Sequence, residues 1–163
     1  MLRRCLVTLL VFGATVLHAD STAPFDSFFT ELEAHLSAVT LSEELQSPRE
    51  PGAAELLQAS LDEREYIHTL LQMDARGRVV NEVVRDGTPG RKFRNVGRQT
   101  FFSSVMKENE PYYAYVKPRG EPLLLFWAFP VSPGGEAQTA KPAGGLAAKL
   151  DLGQCLAQAA QSV

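Results

Sequence analysis

Leu123-Leu124-Leu125-Phe126-Trp127-Ala128-Phe129 is the stretch on which the fold turns. It is apolar at odd and even positions alike, so the alternation of a strand puts apolar side chains on both of its faces. Such a strand must be covered on both sides. The strand reads from Pro122 to Val131, and its neighbours in sequence have to provide the two covering layers.

Toward the N-terminus, Pro24 to Gln46 provides the first layer. Phe25, Phe28, Phe29, Leu32, Leu36 and Val39, with Leu45 beyond them, follow the three-and-four spacing of one buried helical stripe. Glu31, Glu33, Glu43 and Glu44 fall largely elsewhere. Pro24 suits a first helical turn, and Ser47-Pro48-Arg49-Glu50-Pro51-Gly52 ends the helix. A shorter helix is expected over about 53–61. The period then changes. Residues 65–73 are rich in Tyr, Ile, Thr and Leu, Asp74-Ala75-Arg76-Gly77 is turn chemistry, and residues 78–84 form a second β-rich run, so the pair reads as a hairpin.

The second layer is expected from residues 85–110: a loop opened by Asp86-Gly87-Thr88-Pro89-Gly90, then a short helix over 99–107 with Phe102, Val105 and Met106 on one side. Strands follow over 112–117, 122–131 and 146–152, with a tight connection at Arg119-Gly120. Residues 132–144 are long, polar and rich in Gly and Pro, as in a mobile hairpin tip. A short closing helix is expected over 153–162. The fold class is α+β: a five-stranded antiparallel sheet, a long N-terminal helix on one face, and a loop and short-helix cap on the other.

This order resembles the extracytoplasmic Cache sensor domains, the PAS-like domains of periplasmic receptors. Leu71 to Val80 is close to that family's "D-x-x-G-x-V" hairpin, here Asp74-Ala75-Arg76-Gly77-Arg78-Val79. Arg98 with Phe101-Phe102 looks like its Arg followed by an aromatic pair. Residues 122–131 are similar to its apolar fourth strand ending in Pro-Val, and Gly145 to Leu152 resembles its last strand. The likeness covers about residues 25–152. Two departures stand out: the family's Arg-Pro-Trp-Tyr-type pocket motif is here Arg98-Gln99-Thr100-Phe101-Phe102, and no transmembrane helix follows. The resemblance implies a small ligand held between sheet and cap, with occupancy passed to a separate membrane receptor or histidine kinase. In the alternative of a structural or assembly subunit without ligand, the long helix is the interface of a homodimer.

Met1-Leu2-Arg3-Arg4, an apolar run from Cys5 to Leu17, and His18-Ala19 before Asp20 have the order of a secretory signal. The run is short for a membrane span. The expected organisation is a signal peptide over 1–19 and a single domain over 20–163, periplasmic or secreted, with an uncleaved anchor as the other possibility. The formal charge of the 163-residue chain is −3, and Arg3 and Arg4 leave with the signal, so no basic surface speaks for nucleic acid. Cys155 is then the single cysteine, unable to form an internal disulfide. No haem-attachment or metal-spaced pair is present, and no cofactor is expected.

Catalysis finds no motif: no nucleophile elbow, Walker loop, dinucleotide turn or HExxH helix. Glu43-Glu44 and Glu63/Glu65 read as a solvated face unless folding pairs them. His68 alternates with Tyr66 and Leu70 and either faces the pocket or is a hydrogen-bonded strand histidine. On the third strand, Tyr113, Tyr115 and Lys117 share one face and Tyr112, Ala114 and Val116 the other. Small residues fit under the long helix, which turns Tyr113 and Tyr115 toward the cap, as ligand donors or as core. On the last strand Leu146, Ala148, Leu150 and Leu152 oppose Ala147, Lys149 and Asp151, so Lys149 falls on the pocket side. Lys149 serves either the ligand or a pair with Asp151 at the sheet edge. Lys149 stands where amino-acid-binding relatives of the resembled family carry an acidic residue; with Arg98 it would grip a small carboxylate above the sheet, Tyr113 and Tyr115 would donate, and Phe101 would form an apolar wall. A structural subunit without ligand and a periplasmic enzyme are the alternatives.

Overall fold

The last strand in the chain lies at the centre of the sheet. The computed structural model describes residues 23–47, 52–85, 94–117, 122–132 and 141–161. Its strands are β1 (Ile67–Asp74), β2 (Val79–Val84), β3 (Tyr112–Val116), β4 (Leu124–Val131) and β5 (Gly144–Asp151). They form one antiparallel sheet in the order β2-β1-β5-β4-β3. The expected signal over 1–19, the loop at 86–93 and the hairpin tip at 133–140 lie outside the described residues.

The helical layer is α1 (Ala23–Thr40), α2 (Glu43–Gln46), α3 (Gly52–Asp62) and the closing helix α5 (Leu152–Gln161). Phe28, Phe29, Leu32, Leu36 and Val39 of α1 pack with Leu70, Trp127, Phe129 and Leu146 of the sheet in the larger core cluster. The single helix expected to Gln46 is instead two. Thr40 Oγ1 and Ser42 Oγ donate back to the carbonyls of Ser37 and Val39, at 2.7 and 2.8 Å, and Ser42 turns extended ahead of α2. The break has a packing cause. Leu45 follows Leu36 by nine positions, roughly half a turn out of phase on a continuous helix. The bend at Leu41–Ser42 brings Leu45 inside, where it is buried, and leaves Leu41 exposed.

The other face carries the cap, α4 (Thr100–Glu108), with Phe102 and Val105 buried against Leu71, Met73, Ala128 and Ala147. Both faces of β4 are therefore covered, as its double apolar parity requires. The chain from Arg94 to Gly97 ties the cap to the hairpin, with Val79 N donating to Arg94 O and Val96 N to Gly77 O. Asp74 organises the turn between β1 and β2. Its Oδ1 accepts from the backbone N–H of Arg76 and of Arg78, and its Oδ2 from Arg78 Nε at 2.7 Å. Burial works the other way, but these hydrogen bonds and the guanidinium hold the Asp74 carboxyl below its ordinary range.

Candidate functional site

The register of the sheet decides which side chains face the cap. Tyr112 pairs with Ala128 and Ala114 with Phe126; Ala128 pairs with Ala147 and Phe126 with Lys149; Ala147 and Lys149 pair with Leu71 and Thr69. These rows form the cap face. Its upper part, around Ala128 and Ala147, is filled by α4. Its lower part carries polar groups: Thr69 and Asp151 are buried, while Lys149 is half-buried.

Lys149 lies where the alternation of the last strand put it, on the cap face. It is on the central strand of the sheet and not at the sheet edge. Phe101, from the first turn of α4, meets Phe126 with ring centroids 4.5 Å apart. Phe126 is the cross-strand neighbour of Lys149, so an aromatic pair stands next to the lysine on one face. Arg98 is exposed, in the turn ahead of α4.

Tyr113 and Tyr115 are on the opposite side from the one expected. They pair with Trp127 and Leu125 and pack on the core beneath the helices, with their rings 6.3 Å apart edge to face. Tyr112 is the tyrosine of this strand that reaches the cap. The rule that small residues lie under the closer layer holds, but the closer layer is the cap. A Cβ at Gly145 would already stand 3.9 Å from Val105 of α4, and Ala128 and Ala147 complete that small floor.

His68 lies at a bulge in the β1–β5 pairing, between Ile67 and Thr69. Its Nε2 is 4.0 Å from Asp151 Oδ2. Asp151 Oδ1 accepts from Gln154 N, capping the first turn of α5. Burial lowers the His68 pKa against the pull of Asp151, and Lys149 and Arg85 lower it further. Arg85, directly after β2, donates from Nε to Ile67 O and from its terminal nitrogen to the carbonyls of Leu61 and Arg64. Asp151, Arg85 and the bulge carry no motif. The apolar/polar alternation of Gly145–Leu152 is the signal that puts Asp151 beside Lys149.

Glu43, Glu44, Glu63 and Glu65 are all exposed. Two clefts lie away from the cap face: one of about 570 Å³ between Thr40–Leu41 and the Glu108–Pro111 turn, and one of about 420 Å³ between Glu65, Arg85 and α5. Neither is lined by Arg98, Phe101 or Lys149. No helix among the described residues is long and apolar enough to cross a membrane.

No family model and no curated protein sequence matches the chain. Solved structures do. An extracellular ligand-binding receptor from Desulfohalobium retbaense superposes with a TM-score of 0.62 at 13% identity over 86% of this chain and 26% of its own. The ligand-binding domain of the Campylobacter jejuni chemoreceptor Tlp3, in complex with L-valine, gives 0.62 at 10% identity, over 86% of this chain and 59% of that one. The ligand-binding domain of the Pseudomonas aeruginosa amino acid chemoreceptor PctC, in complex with GABA, gives 0.57 at 13%, with 86% and 59% covered. The chain spans between a quarter and three fifths of these proteins' lengths. The likeness is one of fold: this is the Cache-type architecture of extracellular sensor domains.

Proposed function

From a Cache-type sensor fold whose cap face carries a lysine beside an aromatic pair, we propose that this chain is a small-ligand-binding sensory module. It works outside the cytoplasm and passes its occupancy to a separate membrane receptor or histidine kinase. The ligand is a small carboxylate. The observation that carries this reading is the placement of Lys149 on the cap face of a central strand, next to the Phe101–Phe126 pair. An ammonium group half-withdrawn from water beside an apolar wall favours an anion with an apolar flank. Arg98, at the entrance to α4, adds a second cation, and Tyr112 takes the place first given to Tyr113 and Tyr115.

The named partners of Tlp3 and PctC, L-valine and GABA, both bear a carboxylate. Both also bear an amine. On this chain the cap-face anion, Asp151, already has one oxygen on the α5 backbone and the other toward His68, which favours a simple acid over a zwitterion. Isothermal titration of the purified protein against small organic acids, amines and amino acids tests the reading. Acid binding that Lys149→Ala weakens supports it. Tight amine binding, or acid binding indifferent to both Lys149 and Arg98, sinks it.

A further inference from the structure

The two edges of the sheet are built differently. At β2 the entry to the cap occupies the start of the outer side: Val79 N donates to Arg94 O, and Arg78 bridges to Asn95. Asn81 and Glu82 put polar side chains along the strand, and Arg85 closes its end by donating to the Leu61 and Arg64 carbonyls. β3, the other edge, carries none of these guards. Among the described residues no strand pairs with its outer side. Tyr112-Tyr113-Ala114-Tyr115-Val116 contains no charge and no proline, and its register with β4 runs without a bulge. All five residues keep some exposure to solvent, and Val116 is 46% exposed. An unguarded row of N–H and C=O groups is a template for another strand.

We propose that β3 pairs in solution with β3 of a second copy of this chain, antiparallel about a two-fold axis at Ala114, so that two five-stranded sheets become one. Two features of the strand select its own copy as the occupant. The first is its side chains. Pairing about Ala114 uses all five residues, sets Tyr113 opposite the second copy's Tyr115 and Tyr112 opposite its Val116, and keeps cap face beside cap face. Aromatic pairs and pairs of an aromatic with a β-branched residue are the favourable ones across strands. The edge-to-face row that Tyr113 and Tyr115 form within one copy, with ring centroids 6.3 Å apart, then continues across the axis. The second feature is charge. Glu108 and Glu110 precede the strand and Lys117 follows it, all three exposed. Antiparallel pairing brings Lys117 of each copy to the Glu110–Pro111 entry of the other, whereas parallel pairing would set like charges side by side. This interface is separate from one along α1, and it leaves the two caps on the same side of the joined sheet.

Sedimentation equilibrium of the purified protein over a wide concentration range, with amide hydrogen exchange at its two ends, tests the proposal. The expected result is a reversible monomer–dimer equilibrium in which exchange at Tyr112–Val116 slows as concentration rises and exchange at Val79–Val84 does not. Val116→Lys places a charge on the open edge and removes two cross-strand pairs per dimer, so dimerisation should weaken about tenfold or more. Lys117→Glu should weaken it about fivefold through two exposed charge pairs, and Glu110→Lys added to the same chain should restore it. Should a variant melt early, the wild-type exchange decides alone. A protein that stays monomeric at every concentration overturns the proposal. So does a dimer in which β3 exchange is unchanged, or one that forms as tightly with Val116→Lys, since the contact then lies elsewhere.

Discussion

Gly77 lies against the backbone of Gly97, at the point where the β1–β2 turn meets the strand-like entry to the cap. A Cβ at Gly77 would stand 2.4 Å from both the N and the Cα of Gly97, and the residue has φ +74°. The hairpin and the cap are joined at a spot with no room for a side chain.

Gly77→Ala is therefore expected to destabilise the domain by about 2 kcal/mol or more, from left-handed backbone strain together with displacement of the Gly97 segment. Chemical denaturation measures it. A midpoint equal to wild type would mean that the two segments do not touch.

Asp74→Ala removes the acceptor of two backbone N–H groups and of the Arg78 guanidinium. A loss of about 2 kcal/mol is expected near neutral pH. The Asp74 carboxyl titrates below its ordinary range in the folded protein, so its contribution is present above the unfolded value and disappears as pH falls through the folded one. The gap between variant and wild type should close in strong acid, read as converging urea midpoints.

The two described histidines make the domain acid-sensitive. Burial lowers the pKa of both; Arg64 adds to this at His35, and Lys149 and Arg85 at His68. With folded values below the unfolded one of about 6.5, the unfolded chain binds more protons in weak acid. Stability is then full above that value and declines as pH falls through the folded ones. A His35→Gln, His68→Gln double variant should show a flatter melting-temperature profile between neutral and mildly acidic pH.

Cys155 is fully buried in α5, and burial, with Asp151 nearby, pushes its thiol up to about 12. A thiol reagent at neutral pH should label it at the rate of unfolding and not at that of a free cysteine. Fast labelling of the native protein would contradict the packing of α5 on the sheet.

Tyr113→Phe and Tyr115→Phe should leave acid binding unchanged, since both rings lie under the helical layer. Lys149→Ala should weaken it about tenfold or more, the loss of one charge-assisted contact. Calorimetry on the three variants separates the two faces of the sheet.

The sheet and its two layers were legible because β4 is apolar at both parities and β5 alternates cleanly, so Lys149 could be assigned its face from sequence. β3 could not. It is an edge strand with tyrosines at both parities, Tyr112 on one face and Tyr113 and Tyr115 on the other, and nothing local tells which face carries the cap. His68 is the sharper case. Strict alternation puts it with Tyr66 and Leu70 of the helix-side core, but Ile67 between them lies in that core too, and the bulge there breaks the alternation. A single extra residue in the β1–β5 ladder reverses the parity, and that residue is set by pairing with a strand some eighty positions away. The break at Leu41–Ser42 is hidden for a related reason: each half of the helix is periodic, and only the phase between them is wrong.

The central place of β5 has a consequence for assembly. β1–β2 and β3–β4 are each closed by neighbours in sequence, but among the described residues their strands are joined in the sheet through Gly144–Asp151, which pairs with both. While the chain is being made, the two hairpins have no shared edge, and the helix-side core lacks Leu146, Ala148 and Leu150 until β5 exists. Order must arrive late and all at once, by insertion of one strand between two waiting edges. A truncation before Gly144 should yield not a smaller domain but two unpaired ribbons, each with a bare edge open to association.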